Sequence, residues 1–239
     1  MCQRLDRICR NLVIVLTFVV HFASMLRAQN SDQVKTAAIE GTVVYKADPK
    51  RPWRLGRNYI KDKKTGELAG AVVALSGSNL KKLPRPDEPT TAVIDQKEFR
   101  FIPQTVTIRA GDRVKFLNSD QQVHNVKSFD GAEPFNVNMP AGTEYIHSFV
   151  AAGGLRRPIN LSCTFHSAMR GWVFVFHHPI FQTTTDNGKY RLSNIPPGAY
   201  RLEMVHPAGE LKWSQEIEVK AGEKLELDIE LSPDNKVDT

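Results

Sequence analysis

The stretch Thr105-Val106-Thr107-Ile108-Arg109-Ala110-Gly111-Asp112-Arg113-Val114-Lys115-Phe116-Leu117-Asn118 decides how this chain folds. Val106 and Ile108 alternate with other residues, Ala110-Gly111-Asp112 breaks the run, and Val114 and Phe116 alternate again. Period-two patterning on both sides of a Gly-Asp turn predicts strands over Thr105–Ile108 and Arg113–Leu117. The same grammar extends both ways along the chain. Strands are expected at Ile39–Tyr45, Ala71–Leu75, Ile159–Cys163, Gly171–Phe176, Tyr190–Leu192, Tyr200–Met204, Ile217–Val219 and Leu225–Leu231. Asp186-Asn187-Gly188, Pro196-Pro197-Gly198 and Lys220-Ala221-Gly222-Glu223 supply turns between them. No stretch beyond residue 28 keeps a 3.6-residue apolar period over helical length. The fold class is therefore all-β, made of sandwiches or barrels and not of βαβ units.

The first 28 residues follow a different grammar. Arg4, Arg7 and Arg10 precede an apolar run from Leu12 to Val20, and Leu26-Arg27-Ala28 offers a small residue at a cleavage position. This pattern predicts a signal peptide over 1–28, too short in its apolar part to span a bilayer comfortably. His21 interrupts the run and Arg27 closes it, which argues against a retained anchor. Cleavage would remove four of the 32 Lys/Arg and one of the 26 Asp/Glu, leaving a formal charge of +3. With no basic helix and no interleaving of aromatic and basic residues, nucleic acid is excluded as the expected partner. Cys2 and Cys9 would also leave, so Cys163 becomes the one remaining thiol. A lone thiol in an oxidising compartment must be buried or protected, and a metal would protect it.

Two breaks divide the remainder. Lys81-Lys82-Leu83-Pro84-Arg85-Pro86-Asp87-Glu88-Pro89 reads as a semi-rigid linker, and His177 to Thr185 passes from an apolar strand to a polar turn. Between them lie Cys163 and five of the seven His. Lys46–Lys64 carries eight Lys/Arg against Asp48 and Asp62, and is expected to be a solvated loop, a docking surface for an acidic partner being the second choice.

The chemistry concentrates in Ile159-Asn160-Leu161-Ser162-Cys163-Thr164-Phe165-His166-Ser167-Ala168-Met169-Arg170-Gly171. Ile159, Leu161 and Cys163 alternate, which turns the thiol to the core side at a strand's end. His166 and Met169 follow at intervals of three, where a reversing loop can aim all three donors at one point. His124 stands far upstream, after Phe116-Leu117-Asn118-Ser119-Asp120-Gln121-Gln122-Val123. Zinc gains little from a thioether. One Cys, two His and a weak axial Met form the donor set of a blue-copper electron-transfer centre, soft enough for Cu(I) and still acceptable to Cu(II). His147, His177 and His178 are expected at the surface or at strand ends, and His206 has no visible partner.

These residues resemble the cupredoxins, type 1 blue copper proteins. His124 with Cys163-x2-His166-x2-Met169 is most similar to the amicyanin and plastocyanin-like members, and the strand pair Val106 to Asn118 is similar to the one that precedes their first ligand. The resemblance covers roughly residues 91–178. It implies His124, Cys163 and His166 as equatorial ligands of one copper per chain, Met169 as the axial ligand, and Asn125 as a brace between the ligand loops. The departures are Phe165, where the family usually has Pro, and the long stretch from Ser128 to Pro158.

The flanking segments resemble a second module. Glu40-Gly41-Thr42-Val43 and Leu68 to Leu75 before the copper block, with Thr183 to Leu192 and Ile195 to Leu202 after it, are similar to the carboxypeptidase regulatory-like domain, a transthyretin-like sandwich also grouped with carbohydrate-binding-like folds. No His-x-x-Glu, Gly-x-Ser-x-Gly or phosphate loop accompanies it, so no enzyme is expected. The combination resembles secreted bacterial proteins of the methylamine-utilisation and plastocyanin-like kind. The expected layout is a split sandwich over 38–84 and 181–231, holding or joined to a Greek-key copper sandwich over 90–178. The expected function is an exported electron carrier in the periplasm or on the surface of a bacterium. Its partner would be a redox protein such as a c-type cytochrome or a periplasmic dehydrogenase, with no membrane span after cleavage. Surface adhesion or glycan binding, with a degenerate copper part, and copper storage or delivery are the alternatives.

Overall fold

The computed structural model describes residues 35–84 and 88–237. The signal-peptide expectation and residues 85–87 of the Pro-rich linker lie outside the described residues. In chain order the strands are β1 (Ala37–Tyr45), β2 (Val72–Ser76), β3 (Thr91–Lys97), β4 (Arg100–Ile102), β5 (Thr105–Arg109) and β6 (Arg113–Asn118). They continue with β7 (His124–Ser128), β8 (Phe135–Met139), β9 (Glu144–Ser148), β10 (Ile159–Ser162), β11 (Arg170–Phe176) and β12 (Phe181–Thr183). The last five are β13 (Lys189–Ile195), β14 (Gly198–His206), β15 (Leu211–Val219), β16 (Lys224–Glu226) and β17 (Ile229–Leu231). Short 3-10 turns are the only helical pieces among the described residues. The protein is all-β.

Pairing sorts the strands into two groups. Strands β4-β3-β6-β9 form one sheet and β5-β11-β10-β7-β8 another, with parallel pairs β3–β6 and β5–β11. The remaining strands form β13-β1-β16, to which β17 adds through β1, and β12-β2-β14-β15. Thus β1 and β2, which precede the block from β3 to β11, take their partners from strands that follow it.

Each group has its own core. Alternation in β6 buries Val114 and Phe116 with Ile108, Leu161, Cys163, Met169, Val173 and Val175. Alternation in β1 buries Ile39 and Val43 with Val73, Leu75, Leu192, Leu202 and Met204. Two strands do not alternate between apolar and polar: Val72-Val73-Ala74-Leu75 and Val173-Phe174-Val175-Phe176 are buried throughout. Both have apolar cover on both faces. Their second faces, Val72 and Ala74 from β2, Phe174 and Phe176 from β11, meet in a third cluster with Val205, against which Trp172, Phe181 and Leu155 pack.

The basic segment Lys46–Lys64 is more than a solvated loop. Lys46, Arg51 and Lys61 pair with Glu230, Asp48 plus Asp234, and Asp186. Trp53, Tyr59 and Ile60 pack on the core of the β1–β2 group. His206, which showed no partner in the sequence, is fully buried here: Gly209 N–H donates to its Nδ1 at 3.1 Å and its Nε2 faces Ala69 O at 3.1 Å. Burial pushes its pKa down to about 4, so it is a neutral structural imidazole. His177 and His178 follow the end of β11 in a bend, and His178 Nδ1 accepts from Ile180 N–H.

Phe176 stacks on Phe181 with ring centroids 4.4 Å apart and is 3% exposed. Phe176→Ala is expected to cost about 3–5 kcal/mol of stability. Urea unfolding should show it as a lowered midpoint with the slope retained; a change below about 1 kcal/mol would mean the third cluster is not packed in solution.

Candidate metal centre

Among the described residues, one group of His, Cys and acidic side chains converges closely enough to hold a metal: His124, Cys163 and His166, whose donor atoms lie within 4.8 Å of one another. His124 opens β7, and Cys163 directly follows β10, which pairs with β7 through Ser162 and Lys127. Cross-strand pairing therefore brings together donors far apart in sequence. His124 Nδ1 and His166 Nδ1 stand 3.0 Å apart, and Cys163 Sγ is 3.7 Å from His166 Nδ1. His124 and Cys163 are buried, while His166 is partly exposed. The Met169 N–H donates to His166 O at 2.9 Å, closing the loop, and the Met169 side chain is buried in the same cluster as Cys163.

Asn125 ties the two segments together. Its backbone N–H donates to Cys163 Sγ at 3.3 Å, and its Oδ1 accepts from Thr164 N–H at 3.3 Å and from Thr164 Oγ1 at 3.1 Å. Its Nδ2 donates to Asn136 and Asn138 on β8. The amide gives the buried sulfur a hydrogen-bond donor across the two segments, and a metal would bind that sulfur as the thiolate.

Two residues of the site escaped the sequence. Asp120 Oδ2 lies 2.8 Å from His124 Nε2, so Nε2 carries the proton and the Nδ1 lone pair is left facing Cys163 and His166. The same carboxylate accepts from the N–H groups of Glu98 and Phe99 at 2.8 and 3.0 Å. Burial raises the Asp120 carboxyl, but the Phe99 amide, His124 and the Glu98 amide outweigh it and leave the pKa below its ordinary value. Those amides form the tip of the β3–β4 hairpin, where Glu98 and Phe99 hold φ of 54° and 58°. Phe99 is thereby set edge-on to both imidazoles, 5.5 Å from His124 and 4.9 Å from His166. An Asp four residues before His124 was a visible signal for the first. Lys97-Glu98-Phe99-Arg100 carries no Gly or Asn to announce a positive-φ turn, so nothing pointed to the second.

One buried and one partly exposed imidazole, an amide-bonded sulfur and a buried thioether in the next turn suit copper in both oxidation states. Residues 89–176 match the family described as "Copper binding proteins, plastocyanin/azurin family". This part of the chain is a cupredoxin domain, and copper is its cofactor. No curated protein sequence matches the chain. Among solved structures, amicyanin from Paracoccus versutus is 25% identical over 43% of this chain and 96% of its own, with a TM-score of 0.31. A purple cupredoxin from Nitrosopumilus maritimus is 25% identical over 35% and 98%, with a TM-score of 0.31. A copper-containing nitrite reductase from Thermus scotoductus SA-01 is 24% identical over 39% of this chain, with a TM-score of 0.34; the match spans 24% of that enzyme's length.

Cys163→Ser should leave the fold intact, because the volume change is small, and should abolish the visible colour of the copper-loaded protein, because a hydroxyl is not a soft anionic donor. Retained colour in the variant would exclude Cys163 as a ligand.

Proposed function

We propose that this chain is an exported type 1 copper protein that carries single electrons and performs no catalysis of its own. The observation that supports this most is the convergence of His124, Cys163 and His166 with one imidazole open towards solvent. In this reading the four ligands are His124, Cys163, His166 and Met169, with one copper per chain, and Asn125 braces the loops that carry them. Copper would supply the one-electron couple. The chain's residues supply the rest: Asp120 fixes the orientation of His124, Asn125 holds the sulfur, and the buried surroundings of Cys163 keep water from it. Rigid ligands need little rearrangement when the charge changes, which suits a carrier. Partly exposed His166, flanked by exposed Phe165 and close to exposed Phe99, is the natural point of electron entry and exit. Export rests on the 1–28 pattern, and no helix among the described residues is long and apolar enough to cross a membrane. A c-type cytochrome or a periplasmic dehydrogenase fits as partner. Rapid electron exchange between the copper-loaded chain and a soluble c-type cytochrome is the expected result; copper held without exchange would mean storage, and no copper uptake would leave an adhesive or glycan-binding sandwich.

Met169→Leu should retain copper and raise the reduction potential. A weak axial donor favours Cu(II) over Cu(I), so its removal favours the reduced state. Voltammetry of both proteins checks this, and loss of copper would show that Met169 holds the site together and does not merely tune it.

The pairing of β1 and β2 with strands that follow β11 supports a second proposal, that 90–178 is inserted into a carboxypeptidase regulatory-like sandwich made of 38–84 and 181–231. A shortened chain joining residue 84 to residue 181 by a Gly/Ser linker should fold as a β-sandwich without copper. Unfolding of that chain, with folding and copper uptake by residues 90–239 alone, would make the two parts sequential.

A further inference from the structure

We propose that the copper loop is positioned from outside its own domain, by Tyr59 of the β1–β2 group acting through Gln104. This rests on the ligand assignment above. The Tyr59 hydroxyl donates to Gln104 Oε1 at 2.5 Å, and Gln104 Nε2 donates to Arg170 O at 2.9 Å. Arg170 is the residue immediately after Met169. The backbone of Gln104 grips the same segment a second time, its carbonyl accepting from Trp172 N–H at 2.8 Å. Gln104 thus brackets Gly171, where a Cβ would come within 3.0 Å of Gln104 O. A side chain at 171 would push the two segments apart by a few tenths of an ångström, so one residue, Gln104, holds the start of β11 from both sides.

Tyr59 is itself held. Its ring lies parallel to Trp53, with centroids 5.7 Å apart, and edge-on to His206 at 4.5 Å. Trp53 in turn closes on Gly209, where a Cβ would meet its ring at 2.8 Å. His206 is fixed by Ala69 and Gly209. A packed aromatic group of the second sandwich therefore delivers one hydroxyl to one amide, and that amide sets the exit of the ligand loop. When the hydroxyl is absent, Gln104 loses the bond that fixes its side-chain angle, and its hold on Arg170 O weakens. Met169 then sits less firmly, and the centre shifts towards the behaviour of a site with a weaker axial donor.

The test uses the full chain. Copper-loaded Tyr59→Phe keeps the ring packing and should keep its copper. Its visible band and electron paramagnetic resonance hyperfine splitting should shift, and its potential should move in the same direction as that of Met169→Leu, by a smaller step. Gln104→Met, which removes both side-chain hydrogen bonds at similar volume, should do the same to a greater degree. Spectra and potentials that superimpose on those of the unmodified protein overturn the proposal. Thr183→Val removes another contact between the two groups, Thr183 Oγ1 to Thr107 Oγ1 at 3.4 Å, away from the ligand loop. It should leave the spectra unchanged, and an equal spectral shift would reduce Tyr59 to general packing and overturn its positioning role. Metal-free protein gives an independent readout: amide exchange at Met169 and Trp172 should be about tenfold faster in Tyr59→Phe, the equivalent of one lost hydrogen bond. If the unmodified chain takes up no colour, the ligand assignment fails and the brace stands or falls on this exchange alone, unchanged rates overturning it.

Discussion

The hydrogen bond from the Asn125 amide to Cys163 Sγ, between residues 38 apart in the chain, is the contact on which the site depends. It joins the two segments that carry the donors, and it does so at the one buried atom that must be anionic to bind metal. Everything around it serves that placement. Pairing of β7 with β10 sets the approach, the Asn125 side chain locks Thr164, and Asp120 turns His124 so that its lone pair faces inward.

The two groups of strands share an apolar boundary. Because β2 and β11 are each covered on both faces, Phe174 and Phe176 belong to the copper domain by pairing and to its neighbour by packing. The same boundary carries the Tyr59–Gln104 contact, so packing that stabilises the chain also reaches the ligand loop. Under the proposed ligand assignment, a loosened boundary is felt in stability and, through Arg170, at the metal.

Much of this was legible beforehand, for physical reasons. Strands with clean alternation or unbroken apolar runs, such as β1, β5, β6, β11 and β14, announced themselves because one or both faces are buried. The convergence of His124, Cys163 and His166 was legible because few other roles explain their combination in one short loop and one distant strand. What stayed hidden lies in strands with little to bury. In β9, Glu144-Tyr145-Ile146-His147-Ser148 has no fully buried residue, and β3 presents Thr91, Val93 and Lys97 to solvent. The stretch from Ser128 to Pro158, an unexplained length in the sequence, contains β8 and β9, and β8 supplies the two Asn that hold Asn125. Phe99 and the partners of His206 are tertiary facts, and no local pattern encodes them. The strand β12 sits inside what read as a polar turn because three residues are too few to show a period.

The measurement that bears most directly on the metal centre is titration of the purified full chain with Cu(II), followed by optical absorption and electron paramagnetic resonance. The predicted result is one copper per chain, an intense visible thiolate-to-copper band and the narrow hyperfine splitting of a thiolate-bound copper. A colourless protein, or copper bound with the wide splitting of a tetragonal nitrogen and oxygen site, would contradict it.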